Sequence, residues 1–257
     1  MPKLSLILPV YNEEAILEKN FEIIFAFLGK CHFDFEIIFA NDGSTDRTRE
    51  IIERLAQESD QVKVVSARVN QGRGGILTRA IPFASSEIVG YLDADLEIGV
   101  HYVKEMIDIL NIDPTIDIII GSKFSKGAKT HRAWYRNLAH HLYNILVFRL
   151  LGSYIKDHQG GIKFFRKKPL FDLIYDMRNN GWIWDTEILI RAQKKDYTIC
   201  EYPIHASHTR PSKVKFWTAI LVSFNAILWL LFNNVRVSNN RSRIIDGHDF
   251  IKPEKTL

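Results

Sequence analysis

Short apolar runs alternate with stretches of helical periodicity along the first half of the chain. Leu4–Leu8, Phe35–Ala40, Val62–Ala67, Ile88–Leu92 and Ile116–Gly121 are short, rich in β-branched residues and bounded by polar, Gly or Pro residues. They read as buried strands. Between the first two, Ile16, Phe21, Ile24, Phe27 and Leu28 recur at roughly helical spacing. Ile51, Ile52 and Leu55 do so between the next two. Further helices are expected from the 70–75 loop through Ala84 and over about Val100–Leu110. Asn12 is expected to cap the first helix, with Glu13 and Glu14 at its positive end, and Ser44 or Thr45 to cap the second. The alternation predicts an α/β fold, a mostly parallel sheet with helices on both faces. Ligands of such sheets bind beyond the carboxyl ends of the strands. The loops at those ends are 11–13, 41–46, 70–75 and 93–97, and they hold the polar, Gly-rich and acidic clusters of this half.

Asp93-Ala94-Asp95 follows the Ile88–Leu92 run directly. In extended backbone Asp93 and Asp95 point the same way, and two such carboxylates repel unless a cation lies between them. Mg²⁺ and Mn²⁺ take oxygen ligands of this kind and also bind phosphate. Glu97, two residues on, could supply a third. Taken alone, an Asp-x-Asp reads first as a solvated acidic turn in which Asp95 caps the next helix, and it is the surrounding chain that overturns this. In Asn70-Gln71-Gly72-Arg73-Gly74-Gly75 the glycines let backbone approach a ligand closely, and Arg73 brings positive charge. No Gly-Lys-Ser/Thr follows, so this is not a Walker loop.

Pro9-Val10-Tyr11-Asn12-Glu13-Glu14, Asn41-Asp42-Gly43-Ser44-Thr45-Asp46, Asn70-x-Gly72-Arg73-Gly74 and Asp93-Ala94-Asp95 resemble, in order, the motifs of family-2 glycosyltransferases with the GT-A, Rossmann-like fold. Asp157-His158-Gln159-Gly160-Gly161-Ile162-Lys163 and Trp184-Asp185-x-Glu187 extend the resemblance to the branch of dolichyl-phosphate mannose and glucose synthases and bacterial polyprenyl-phosphate glycosyltransferases. It covers roughly residues 4–215. It implies an inverting, metal-dependent transfer of a sugar from a UDP- or GDP-sugar donor to a polyprenyl phosphate. Pro9, Tyr11 and Glu13 would lie along the base and ribose, Asp42 would accept from a base N–H, and Gly72, Arg73 and Asp93 would complete the donor site. Asp95 and Glu97 would hold Mg²⁺ or Mn²⁺ on the diphosphate, with Asp93 near the ribose or sugar. An anionic acceptor, whose second pKa is about 6, needs little base catalysis but does need cations. Lys123, Arg132, Arg136, Arg210 and Lys213 are the candidates. Asp157, Gln159 and Asp185 stand on the acceptor side, the two acids as orienting groups or a base. The branch usually carries Arg where Lys123 stands, and His158, Gly160 and Ile162 also depart from its pattern, which leaves the acceptor subtype open. A polysaccharide or glycolipid acceptor, and a non-catalytic scaffold for a membrane partner, are the competing readings.

The chain has 257 residues and a formal net charge of +4. That suffices for one α/β domain with an appendage and is too little charge to point to nucleic acid. Cys31 and Cys200 show no metal or redox spacing and are expected as free thiols in a reducing compartment. Met1-Pro2-Lys3 runs straight into the first strand, so no signal peptide is expected, and the catalytic part is assigned to the cytoplasmic face of a membrane. Phe216–Phe232 is the most apolar run, at the lower limit for crossing a bilayer, with Asn225 inside it and Trp217 and Trp229 near its ends. Trp134–Leu151 alternates apolar residues with Arg136, His140, His141 and Arg149. Both are expected to lie in the headgroup layer as a peripheral or monotopic attachment; a spanning helix and a core or dimer seam are the alternatives. The expected division is a catalytic unit over 1–215 and a membrane-associating helix with a polar tail over 216–257. An integral-membrane partner or a second copy stays open.

Overall fold

Eight strands form one mixed, mostly parallel sheet in the order β10-β8-β5-β7-β4-β1-β2-β3. They are β1 (Leu4–Val10), β2 (Phe35–Asn41), β3 (Val62–Ser66), β4 (Ile88–Leu92), β5 (Ile118–Ser122), β7 (Ile162–Arg166), β8 (Ile199–Pro203) and β10 (Ile244–Asp246). Two short strands, β6 (Thr130–His131) and β9 (Ala206–Ser207), pair separately. The computed structural model describes residues 4–128, 130–131, 134–181, 183–207, 224–225, 227–233, 235–237 and 243–251, with backbone alone at 130–131 and 134–141.

Strand alternation divides the core. Leu4, Leu6 and Leu8 of β1 face α1 (Leu17–Gly29), α2 (Thr48–Glu58) and α4 (His101–Ile112). Ile7 faces α3 (Arg73–Ala80), α6 (Lys167–Ile174) and α7 (Trp184–Lys194). Among the described strands of this sheet only β7 runs antiparallel, between β4 and β5. Helix α5 (Trp134–Leu151) has the predicted bounds. Its second half is apolar on both sides: Val147 and Leu151 are buried, whereas Leu142, Ile145, Leu146 and Phe148 are exposed. The inner side joins Ile183, Ile190, Ile227, Leu230, Val235 and Val237 in a third, smaller core. Part of the predicted 216–232 helix lies outside the described residues; within it, Phe224 and Phe232 are exposed and Ile227 and Leu230 are buried. Among the described residues no helix is long and apolar enough to cross a membrane.

Both predicted caps are corrected. Neither α1, which starts at Leu17, nor α2 has a side-chain cap. Asn12, at φ 53°, instead accepts from the Thr45 backbone N–H at 2.8 Å, and Ser44 accepts from the Asn12 N–H at 3.1 Å. The polar side chains that suit caps lace the first two rim loops together, a long-range use that local spacing does not reveal.

At the opposite end of the sheet the buried Glu36 takes hydrogen bonds from Ser5, the Ser85 hydroxyl and the Ser85 N–H, and pairs with Lys63 at 2.6 Å. Burial opposes its charge, but Lys63, Ser5 and Ser85 outweigh this and bring the carboxyl down to about 2. Because the folded value lies below the ordinary 4.5, this stabilisation is complete above that value and is lost as pH falls toward 2. It contributes on the order of 2 kcal/mol. Urea titrations at pH 6 and pH 3 should show a larger acid loss for the wild type than for Glu36→Gln, and equal losses would contradict the assignment.

Candidate active site

The carboxyl ends of β1, β2 and β4 and the N-terminus of α3 bring the donor-side residues to one rim. Tyr11 is exposed beyond β1, next to the half-buried Glu13. Buried Asp42 accepts from the Gln71 N–H at 2.7 Å and the Gly72 N–H at 2.9 Å, so its first task is to fasten the glycine loop to β2. Burial nonetheless pushes its carboxyl up. Gly72 opens α3 with φ +85°, and a Cβ there would meet the Asn180 carbonyl at 2.9 Å. That same carbonyl accepts from the Gly75 N–H at 2.8 Å. The 178–181 segment is held in turn by buried Glu187, which accepts from the backbone N–H groups of Arg178 and Asn179 and pairs with Arg191.

Arg73 points inward. One guanidinium nitrogen binds Asp93 at 2.7 Å and the other binds Asp185 at 2.6 Å, with the group 5.1 Å above the Tyr91 ring centre. Asp185, in the first turn of α7, also takes the fully buried Lys163 ammonium at 2.7 Å and the Tyr91 hydroxyl. Burial pushes the Asp185 carboxyl up, but Lys163 and Arg73 prevail and hold it below its ordinary range. Lys163 also donates to the Gly160 carbonyl at 2.8 Å. Lys163 and Tyr91 are members of the site that spacing alone did not single out. The available signal was a lysine inside the apolar β7 run and a tyrosine at the end of β4.

Asp93, Asp95, Glu97, Ile98, Lys123, Gln159, Gly161 and Ala206 line one small cleft at this rim. Asp95 accepts from the Glu97 N–H at 3.1 Å, and Leu96 between them is left-handed at φ 55°, a costly conformation for a branched side chain that fixes how the acids are presented. Burial, with the charges of Asp93, Glu97 and Glu13, pushes the Asp95 carboxyl up to about 6. A cation relieves such crowding, and the oxygen donors suit Mg²⁺ or Mn²⁺. Among the described residues no group of three or more acids, histidines or cysteines is arranged to hold a metal ion, so Asp93, Asp95 and Glu97 do not converge as a three-ligand set. Gly161 lies against Asp93: its carbonyl accepts the Asp93 N–H at 3.1 Å, and a Cβ would fall 2.2 Å from Asp93 Oδ2. Gly161→Ala should therefore displace Asp93 and lower kcat by about 10²-fold with little change in Tm; kcat within twofold of wild type would show that the contact is slack.

Across the cleft, Lys123 follows β5. Asp157 Oδ2 accepts from its backbone N–H at 2.9 Å and pairs with its ammonium at 3.1 Å. Both side chains are buried. Arg136 lies in the first turn of α5 by its backbone. Arg132, Arg210 and Lys213 lie outside the described residues.

The family model of glycosyl transferase family 2 matches residues 5–173. Glycosyltransferase AglD of Haloferax volcanii is 32% identical over 252 residues, 95% of this chain and 40% of that protein. The human dolichyl-phosphate beta-glucosyltransferase is 28% identical over 230 residues, 84% of this chain and 71% of that one. Thus the chain spans less than half the length of AglD and about seven tenths of the human protein. Among solved structures, glucosyl-3-phosphoglycerate synthase from Mycobacterium tuberculosis, in complex with Mn²⁺, UDP and phosphoglyceric acid, superposes with a TM-score of 0.68 at 20% identity over 93% of this chain and 80% of that one. It shares the fold, a GT-A-like mixed sheet. With the family model covering most of the strand-and-loop rim, the chain belongs to glycosyl transferase family 2.

Proposed function

We propose that this chain transfers a hexose, glucose in the first instance, from a nucleotide sugar to a polyprenyl phosphate with inversion at the anomeric carbon. The observation that carries the acceptor class is the state of the acids. Asp157 and Asp185, the two candidates for a base, are both buried in ion pairs, with Lys123 and with Lys163 and Arg73. A sugar hydroxyl needs a base, whereas a phosphate monoester is already an anion near neutral pH. The names of the dolichyl-phosphate beta-glucosyltransferase relatives support the same acceptor and suggest the sugar.

On this reading Tyr11, Pro9 and Glu13 border the base and ribose, and Asp42 shapes the base pocket from beneath while holding Gly72. Arg73 acts by fixing Asp93, which faces the ribose or sugar. Asp95 and Glu97 hold the divalent cation. When bound, that cation supplies Lewis-acid neutralisation of the leaving nucleoside diphosphate. Lys123 and Gln159, on the β5 side, receive the acceptor phosphate, with Arg136, Arg210 and Lys213 as further cations for it. The exposed apolar side chains of α5, Leu142, Ile145, Leu146 and Phe148, suit a lipid surface, which supports peripheral or monotopic attachment; the cytoplasmic face is the side assigned to it on the sequence reading. The catalytic unit extends past the expected boundary at 215, since Ile227, Leu230, Val235 and Val237 pack against α5 and α7 and Ile244–Asp246 pairs with β8.

The test is a panel of radiolabelled UDP- and GDP-sugars offered with membrane lipid, in Mn²⁺ or EDTA. An EDTA-sensitive, mild-acid-labile glycolipid formed from one donor is the expected result. Donor hydrolysis with no lipid product would move the acceptor elsewhere, and silence with every donor would favour the scaffold.

A further inference from the structure

Glu201 is 1% exposed in the middle of β8, hydrogen-bonded between β5 and β10. An acid inside a sheet costs several kcal/mol unless the structure uses its charge or its oxygens. Glu201 uses an oxygen: Oε1 accepts from the Lys156 N–H at 3.0 Å and from the Asp157 N–H at 3.3 Å. This fastens the turn leading into Asp157. The Asp157 carboxylate in turn accepts the Lys123 N–H and pairs with its ammonium. Lys123 and Gln159 reach the cleft from this side.

We propose that Glu201 is a positioning residue for the acceptor half of the site, holding the 156–157 turn so that Asp157 presents Lys123 to the acceptor phosphate. The strand order makes the effect one-sided. The donor loops follow β1, β2 and β4 and open α3, whereas Glu201, Asp157 and Lys123 belong to the β8–β5 side, beyond β7. The charges around it fit this role. Lys156, in the turn itself, makes an exposed ion pair with Asp246 of β10 at 3.4 Å, and Asp246 is the register partner of Glu201.

The inference rests on the polyprenyl-phosphate reading, and the two fail differently. Purified protein is assayed with its donor and detergent-dispersed undecaprenyl phosphate, and KM is measured for each substrate. No transfer by the wild type would overturn the functional reading itself. Given wild-type transfer, Glu201→Leu should raise the acceptor KM by about tenfold or more and leave the donor KM within about twofold, and Glu201→Gln, which keeps an acceptor oxygen, should recover most of the loss. In a Lys123→Ala background Glu201→Leu should change the acceptor KM by less than about twofold, because both act through one group. An unchanged acceptor KM in folded Glu201→Leu, equal rises in both KM values, or full additivity with Lys123→Ala would overturn the proposal. If the leucine variant does not fold, Glu201→Asp, which keeps the carboxyl and withdraws its oxygen from the 156–157 turn, carries the same comparison.

Discussion

Asp95→Ala should lower transfer by about 10³-fold or more while leaving Tm unchanged or slightly raised. The two effects diverge because Asp95 works against folding and for function. Its carboxyl is pushed up to about 6 by burial and by the charges of Asp93, Glu97 and Glu13, so deleting it removes repulsion from the folded state. On the proposed reading Asp95 is a cation ligand in turnover, and loss of Lewis-acid assistance worth several kcal/mol converts to the stated range at about 1.4 kcal/mol per tenfold. Mn²⁺-dependent UDP affinity, read by calorimetry, should fall in parallel. A variant that keeps near-normal rates would remove Asp95 from the ligand set. One that loses activity and Tm together would make its role structural.

Asp185→Ala should be the most destabilising single change at the site. It leaves the Lys163 ammonium, 0% exposed, and the Arg73 guanidinium without their shared carboxylate, and it deprives the buried Tyr91 hydroxyl of its acceptor. Removing one partner of a buried pair costs about 3–5 kcal/mol, because the remaining charge stays desolvated. Urea unfolding should show a loss in that range. The double variant Lys163→Met/Asp185→Leu should regain much of it, since buried ion pairs are replaceable by apolar packing of similar volume. Activity should not return in the double variant, because Arg73 is then anchored by Asp93 alone and no longer fixed by Asp185. A loss below about 1 kcal/mol for Asp185→Ala would mean that water reaches the pair and the network is soft.

The rim was legible in the sequence because its chemistry is local. Acids, glycines and asparagines follow directly on apolar strands, and strand polarity places them together. The expected strands β1–β5 are found, β4 with the expected bounds and the others shifted by one or two residues, and α3 closes at Ala80 where the pattern carries it to Ala84. What stayed hidden depends on partners far along the chain. Ile162–Arg166 reads poorly as a buried strand because Lys163 interrupts it, and the carboxylate that makes Lys163 tolerable lies at Asp185. Glu201 interrupts β8 in the same way, and its partners are backbone amides at 156 and 157. The β10 edge strand comes from a tail with no apolar pattern to announce it. Asn12 and Ser44 have the composition of caps, but lace two loops together more than 30 residues apart. The acidic cleft could be anticipated from spacing, whereas the buried pairs that fix Arg73 and Lys123 could not.

The central claim is tested most directly by the bond that forms. Purified protein, an α-linked nucleotide hexose, Mn²⁺ and a defined polyprenyl phosphate are incubated together, and the isolated product is examined by proton and phosphorus NMR. The account predicts a single β-anomeric proton coupled to one phosphodiester phosphorus. An α-anomer, or a sugar attached through a hydroxyl with the lipid phosphate left free, would contradict it.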